Sequence, residues 1–409
     1  MPQSVATPQA SVVIPTYNRA EKLRRTLETL TEQDIDPARF EVIIADDGSS
    51  DNTGDVAKSF AGRLTVKYCF QEDQGFRAGA ARNGGARLAA APLLIFLDSG
   101  TLAGPGLVSG HLAAHAASPQ RRAVIGYCYG HDGFREDLWM PEFEIRRPSD
   151  IVALNLGKTE FADIREIDYA RYGDNPMKWP LPWLFFYTMN CSVPAADFWA
   201  AGGFDEMFRT WGVEDIELGY RLYRHGSAIV HSRDAWTIEV PAVRPVKRQV
   251  YSLMRNGLLF LDKSREPSIE LLVDGYLNIR LGTAMDDNRE LQQWTREARD
   301  LDVEAEIAAA AAGLAPDASL AVFGCGPRVP RSLPPAALFD FDAGLLARAT
   351  AGGAHTGHHA LGLHTVLPAK SADLVIVTSR LSGLWPRFGD QILREAGRVG
   401  RRVVTTTRS

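Results

Sequence analysis

Three short stretches carry side chains that could do chemistry together: Pro15-Thr16-Tyr17-Asn18, Asp46-Asp47-Gly48-Ser49 and Asp98-Ser99-Gly100. Each closes an apolar run, "SVVIP", "EVIIAD" and "LLIFLD". One such polar end is an ordinary turn or helix cap, because Asp, Asn, Ser and Gly favour both. Three of them on one edge of one sheet make a nucleotide site. A fourth stretch, "RTWGVEDIELGYRL", puts Glu214, Asp215 and Glu217 into the first turn of a helix expected to start near Val213. Ile216, Gly219, Tyr220 and Tyr223 give that helix its buried face. The macrodipole welcomes anions at such a start, which would explain the acids as charge placement alone. A carboxylate kept ionised beside a substrate hydroxyl is also what a general base requires. At the third strand end a metal site would want a second acid two residues after Asp98, and Gly100 stands there.

The elements that must hold these residues follow from the pattern. "SVVIP", "EVIIAD", "TVKYCF" and "LLIFLD" read as strands. Between them, "RAEKLRRTLETLTEQ", "DNTGDVAKSFAG" and "RAGAARNGGARLAAA" are long enough for crossover helices, and Leu23, Thr26, Leu27 and Leu30 supply helical spacing in the first. This alternation predicts an α/β fold with a mostly parallel sheet covered on both faces. Ligands in such sheets sit beyond the carboxyl ends of the strands, where the polar stretches fall. Residues 131–190 then break the rhythm with a loop-rich, aromatic stretch containing Trp139, Tyr169, Tyr172, Trp179, Trp183, Phe185, Phe186 and Tyr187. Flat rings there suit a sugar face or an ordinary core.

Composition narrows the class. The chain has 409 residues, 45% hydrophobic content and a formal net charge of -5, which allows two or three domains and gives no basic excess for nucleic acid. Cys69, Cys128, Cys191 and Cys325 are scattered and form no CxxC pair. They read as reduced thiols of an intracellular, cytoplasmic protein. The first ten residues lack the regions of a signal peptide, and no apolar run has the length of a membrane span. His231 follows an apolar pair and reads as a packed residue outside the site.

The ordered pieces "SVVIPTYNR", "IIADDGSSDNT", "QGFRAGAARNGG", "IFLDSG" and "GGFDEMFRTWGVEDIELGYRL" resemble the inverting nucleotide-sugar glycosyltransferases of family 2, with the GT-A fold. The likeness covers about residues 11–260 and is nearest to the chondroitin-polymerase and galactosyltransferase-like branches. It implies a nucleotide-sugar donor, a uridine diphosphate sugar, gripped by Pro15, Thr16, Tyr17 and Asn18, with the Tyr17 ring on the base and Asp47 accepting the imide hydrogen. It also implies that Arg77, Arg82 and Asn83 reach the phosphates or sugar, and that Asp98 touches the ribose or the metal. Asp215 would be the base, with Glu214 and Trp211 shaping the sugar pocket. The family's Asp-x-Asp motif is Asp98-Ser99-Gly100 here, and its later histidine falls where Thr237, Glu239 and Val240 stand. Mg2+ or Mn2+ held by Asp98, diphosphate and water is expected, with Glu239 as a second oxygen ligand. Neutralisation by Arg77, Arg82, Arg244 or Lys247 is the alternative. The acceptor is a small molecule, peptide or glycan.

Residues 1–260 are therefore read as the transferase domain, with a donor half to about 130 and an acceptor half beyond it. A helical connector follows over 261–318, "GLAPDAS" being a linker, and then a small Rossmann-like domain over 319–409. "SLAVFGCGP" and "ALFDFD" resemble part of an S-adenosylmethionine methyltransferase. Only about ten residues with three prolines separate the two strands, too few for the crossover helix. This reads as a non-catalytic remnant for packing, dimerisation or acceptor binding. A catalytically silent nucleotide-sugar binder, and a transferase fused to a working methyltransferase, are the rival readings.

Overall fold

Val12 and Ile14 point to one side of the first strand and Val13 to the other, and both sides are buried. Period-two alternation with apolar residues on each face is what a sheet covered by helices on both sides demands. The computed structural model describes residues 7–130, 142–240 and 246–406. It divides the chain into two units, Met1–Asn256 and Gly257–Ser409. Trp139 and Arg244 lie outside the described residues.

Among its described residues the first unit carries eight strands: β1 (Ala10–Thr16), β2 (Phe40–Asp46), β3 (Val66–Phe70), β4 (Leu93–Leu97), β5 (Thr101–Ala103), β6 (Arg122–Tyr129), β7 (Asn190–Pro194) and β8 (Ala228–Glu239). Their order is β3-β2-β1-β4-β7-β6-β8-β5. The first four are parallel, joined by α1 (Ala20–Leu30), α2 (Thr53–Ser59) and α3 (Ala78–Leu88). β7 enters antiparallel between β4 and β6, β6 runs parallel to β8, and β5 closes the edge antiparallel to β8. The strand order reverses at β1, so a crevice opens beyond the carboxyl ends of β1 and β4.

Four further short helices are α4 (Leu107–Ala116), α5 (Glu142–Ile145), α6 (Pro148–Asn155) and α7 (Glu166–Tyr172); α8 (Ala195–Ala200), α9 (Glu214–Arg224) and α10 (Val246–Lys263) follow. Leu23, Leu27 and Leu30 of α1 and Leu107 of α4 pack on Val12, Ile14, Val42 and Ile95. Ala81 of α3, Phe198 of α8 and Leu218 and Leu222 of α9 pack on Val13, Ile43 and Phe96 from the other side. Most of the aromatic stretch belongs to core: Tyr169, Trp179, Trp183 and Phe186 are buried. His231 stacks on Tyr169 with ring centroids 4.1 Å apart, and burial pulls its imidazole down to about 4, consistent with packing.

The second unit holds α11 (Pro267–Leu277), α12 (Ala284–Glu297), α13 (Glu304–Ala310), α14 (Ala343–Thr350) and α15 (Trp385–Val399). Its strands are β9 (Leu320–Phe323), β10 (Ala336–Asp340), β11 (Thr356–His359), β12 (Ala372–Val377) and β13 (Gly400–Thr405). They form one parallel sheet in the order β11-β10-β9-β12-β13. The stretch read as a connector shares this sheet's core: Leu271, Leu291 and Ala298 lie with Phe323, Phe339 and Val375. "GLAPDAS" is accordingly a turn from α13 to β9 inside the unit. The chain passes from β9 to β10 without a helix. Asp340, at the end of β10, receives the Gly326 N–H (2.8 Å) and the Arg380 Nε–H (2.7 Å). Both side chains of that ion pair are completely buried.

Candidate active site

Thr16 closes β1 and Ser99 follows β4; their hydroxyl oxygens are 3.4 Å apart, which brings two of the polar strand ends together. Asp47 joins them, its N–H donating to the Thr16 carbonyl at 2.9 Å. The Asp47 carboxylate receives Gln71 Nε2 at 2.5 Å and the Arg77 backbone N–H at 2.8 Å, with Arg77 Nε 3.8 Å away. Burial makes this carboxyl a weaker acid than usual, pushing its pKa up against those hydrogen bonds. Tyr17 is 44% exposed, and its hydroxyl donates to Asp73 Oδ2 at 2.8 Å. The ring is thus fixed at one end with a face left for stacking.

Asn18 and Asn83 are used differently from the expectation. Asn18 Oδ1 accepts the Ser50 N–H at 2.8 Å, bracing the loop after β2. Asn83, 3% exposed, donates to the Phe204 carbonyl and to Glu206, both at 2.9 Å, and accepts the Phe204 N–H at 2.9 Å. Its amide pins α3 to the "GGFDE" loop instead of facing the crevice. Arg77 is also tied locally, through Nη1 to Gln74 at 3.1 Å and through Nη2 to the Glu72 carbonyl.

Arg82 links the two halves of the unit. It sits in the buried turn of α3, donating through Nη2 to Asp98 at 2.8 Å and through Nη1 to Glu214 at 3.3 Å. The donor-side and acceptor-side acids thereby converge on one guanidinium. α9 begins at Glu214, as the apolar spacing predicts, with Val213 as its N-cap. Glu214 is buried and its Oε2 has no hydrogen-bond partner. Asp215 is only partly covered, and its Oδ1 accepts the Ile216 N–H at 2.8 Å. Loss of water raises both carboxyls above their ordinary range; the Arg82 cation opposes this in each. Asp215 adds a second upward push on Glu214. A half-open carboxylate beside a buried, proton-hungry one can take a proton from a group entering the mouth.

The Asp98 loop explains the missing second acid. Gly100 has φ +98°, a backbone shape that side-chain-bearing residues avoid, and a Cβ there would stand 3.2 Å from Cδ of Lys22. Arg19 Nη1 reaches the Ser99 carbonyl at 3.4 Å. The loop is shaped around a glycine, with cations at the start of α1 beside it, a feature that no motif spacing reveals. Glu239 ends β8 opposite Thr101, and Thr237 is buried against Tyr127 and Asn190. Among the described residues no group of three or more His, Cys, Asp or Glu side chains could hold a metal ion. A metal would therefore have Asp98, whose side chain is 39% exposed, and would draw its remaining oxygens from ligand and water. We expect Gly100→Asp to cost about 1–3 kcal/mol through its backbone strain. Thermal unfolding would show this, with no gain in Mn2+ affinity by titration calorimetry.

A model described as glycosyl transferase family 2 matches residues 11–178, and one described as the N-terminal domain of galactosyltransferase matches 173–239. Validoxylamine A glucosyltransferase of Streptomyces hygroscopicus subsp. limoneus is 42% identical over 407 residues, covering 97% of this chain and 90% of that one. The chain belongs to glycosyltransferase family 2. Chondroitin synthase of Escherichia coli is 35% identical over 224 residues, 53% of this chain and 32% of its own. Among solved structures, S. aureus TarS aligns with a TM-score of 0.47 at 16% identity, covering 71% of this chain and 47% of that one. This family 2 glycosyltransferase has the mixed α/β architecture expected of it, and among its described residues no helix is long and apolar enough to cross a membrane.

Sequence reasoning missed one member of this neighbourhood. Asn256 lies on α10, is buried and donates to the Thr210 and Gly212 carbonyls just before α9. The signal was available as a polar stripe, Gln249, Ser252 and Asn256, on the buried face of a helix.

Proposed function

We propose that this family 2 glycosyltransferase moves glucose, with inversion, from a uridine diphosphate donor to a hydroxyl of validoxylamine A or a close analogue. The sugar and acceptor are suggested by the name of the relative that is 42% identical over nearly the whole chain. The observation that carries the mechanism is Arg82 bridging Asp98 and Glu214, next to Asp215. The Tyr17 ring stacks on the uracil, Asp47 accepts its imide hydrogen, and Thr16 and Pro15 line the pocket. Trp211 and Glu214 shape the sugar site. The acceptor oxygen attacks the anomeric carbon on the side away from the nucleotide while Asp215 takes its proton. The bond from that carbon to the diphosphate oxygen breaks, and its electron pair leaves with the diphosphate. Mg2+ or Mn2+ held by Asp98 would supply positive charge for the leaving group when bound. Arg82 and the cations at the start of α1, Arg19 just before it and Lys22 within it, support the same end of the donor.

The second unit serves packing rather than methyl transfer. In support, β9 and β10 lack a crossover helix, and Arg380 occupies the Asp340 carboxylate that such a fold would offer to a cofactor. The function is tested by incubating the chain with validoxylamine A and a panel of uridine and thymidine sugars, followed by mass spectrometry. One hexose should be added from uridine diphosphate glucose, with rates falling on chelation. Donor binding without turnover of any sugar, across all acceptors tried, would favour a silent nucleotide-sugar binder.

A further inference from the structure

The acids of α9 are delivered by a turn that should not hold itself. Gly212 has φ +88° and Val213 has φ +75°. A β-branched residue in the left-handed region costs about 1–3 kcal/mol and persists only where its surroundings impose it. Val213 is 1% exposed, so the strained residue is locked in protein. The reversal also turns successive backbone carbonyls toward one side, where α9 cannot satisfy them.

One side chain meets them. Asn256 Nδ2 donates to the Thr210 carbonyl at 2.9 Å and to the Gly212 carbonyl at 2.7 Å, with the Trp211 carbonyl at 3.5 Å. Asn256 Oδ1 in turn accepts the Thr210 hydroxyl at 2.9 Å. The amide is 2% exposed, and three carbonyls around one end fix which way it points. Leu253, one turn earlier on α10, closes beneath Gly212: a Cβ there would stand 3.1 Å from its Cδ2. The helix then starts directly, with the Glu217 N–H donating to the Val213 carbonyl at 2.9 Å.

We propose that Asn256 is a positioning residue for transfer: it clamps the Thr210–Gly212 backbone so that the strained turn presents Glu214 and Asp215 toward the crevice. This rests on the reading of Asp215 as base. Neither family match extends to α10. Asn256 touches the turn and not the reacting atoms, so its loss acts through geometry. A shift near 1 Å at a catalytic group costs about 100-fold in rate, and nucleotide affinity should be spared because Thr16, Tyr17 and Asp47 lie on other elements.

The test uses the full-length chain with Asn256→Ala and the volume-conserving Asn256→Asp. Transfer rate, uridine diphosphate affinity by calorimetry and the thermal midpoint are measured for each. We expect kcat to fall about 100-fold in Asn256→Ala, with nucleotide affinity within about threefold. Adding Val213→Gly to Asn256→Ala should restore about tenfold of the lost kcat, because glycine holds this backbone shape without strain; a purely structural role for Asn256 predicts no such rescue. If Asn256→Ala fails to fold, Asn256→Asp carries the same comparison. Folded Asn256 variants with kcat within about threefold of the parent, beside an inactive Asp215→Asn, would overturn the positioning role alone. An active Asp215→Asn would instead remove the base assignment on which it rests.

Discussion

Asp215→Asn is expected to abolish glycosyl transfer while leaving the nucleotide bound. The amide is nearly the same size and keeps an oxygen for the Ile216 N–H, so α9 should start where it does now. What disappears is the acceptor of the substrate's proton, a loss of about 100- to 10,000-fold in kcat for a positioned general base. Affinity for uridine diphosphate should change little, since the base-binding elements precede β5. The parent enzyme should show an acid limb in kcat/KM above the ordinary carboxylate range. Burial raises the Asp215 carboxyl, so its reactive, ionised form is lost on acidification sooner than for an exposed aspartate. The residual activity of Asp215→Asn should lack that limb. A variant within about threefold of wild type at neutral pH would exclude Asp215 from the base role.

The difference between Asp215 and its neighbours illustrates what sequence can and cannot say. The start of α9 was legible because Ile216, Gly219 and Tyr220 repeat at helical spacing, and the strand ends were legible because apolar runs stop abruptly at Asp46 and Asp98. Those are local signals. Asn83 could not be read the same way: its position in a motif suggested a donor ligand, whereas its amide is spent on Phe204 and Glu206, more than a hundred residues away. The parallel pairing of β6 with β8 is equally non-local, joining Arg122 to Ala228. Gly100 was visible as a missing acid, but the handedness of its backbone, which makes the loss more than a simple vacancy, was not. The grouping of α11 and α12 with the small sheet depended on which apolar face they cover, and a helical period alone does not name the partner.

Arg82→Met should act on stability and on acidity at once. The side chain is buried and makes ion pairs with Asp98 and Glu214. Glu214 is itself buried, with one oxygen already lacking a partner. Removing one member of a buried ion pair leaves the other charge uncompensated, which typically costs about 3–5 kcal/mol. Methionine fills much of the volume, so the loss should report charge more than cavity. Burial lifts the Glu214 carboxyl to about 7 even beside Arg82, so calorimetric or denaturant unfolding at alkaline pH would measure the full loss, and part of it should be recovered as the pH falls to neutral and below, where Glu214 takes up a proton and the stranded charge vanishes. The kinetic consequence has the opposite pH dependence. Arg82 holds both Glu214 and Asp215 down against burial; without it their protons bind more tightly and the acid limb of kcat/KM moves to higher pH. Activity should therefore be lowest where the variant is least destabilised. A variant that is as stable as the parent and whose acid limb does not move would mean that Arg82 neither compensates Glu214 nor sets the charge at the mouth of the site.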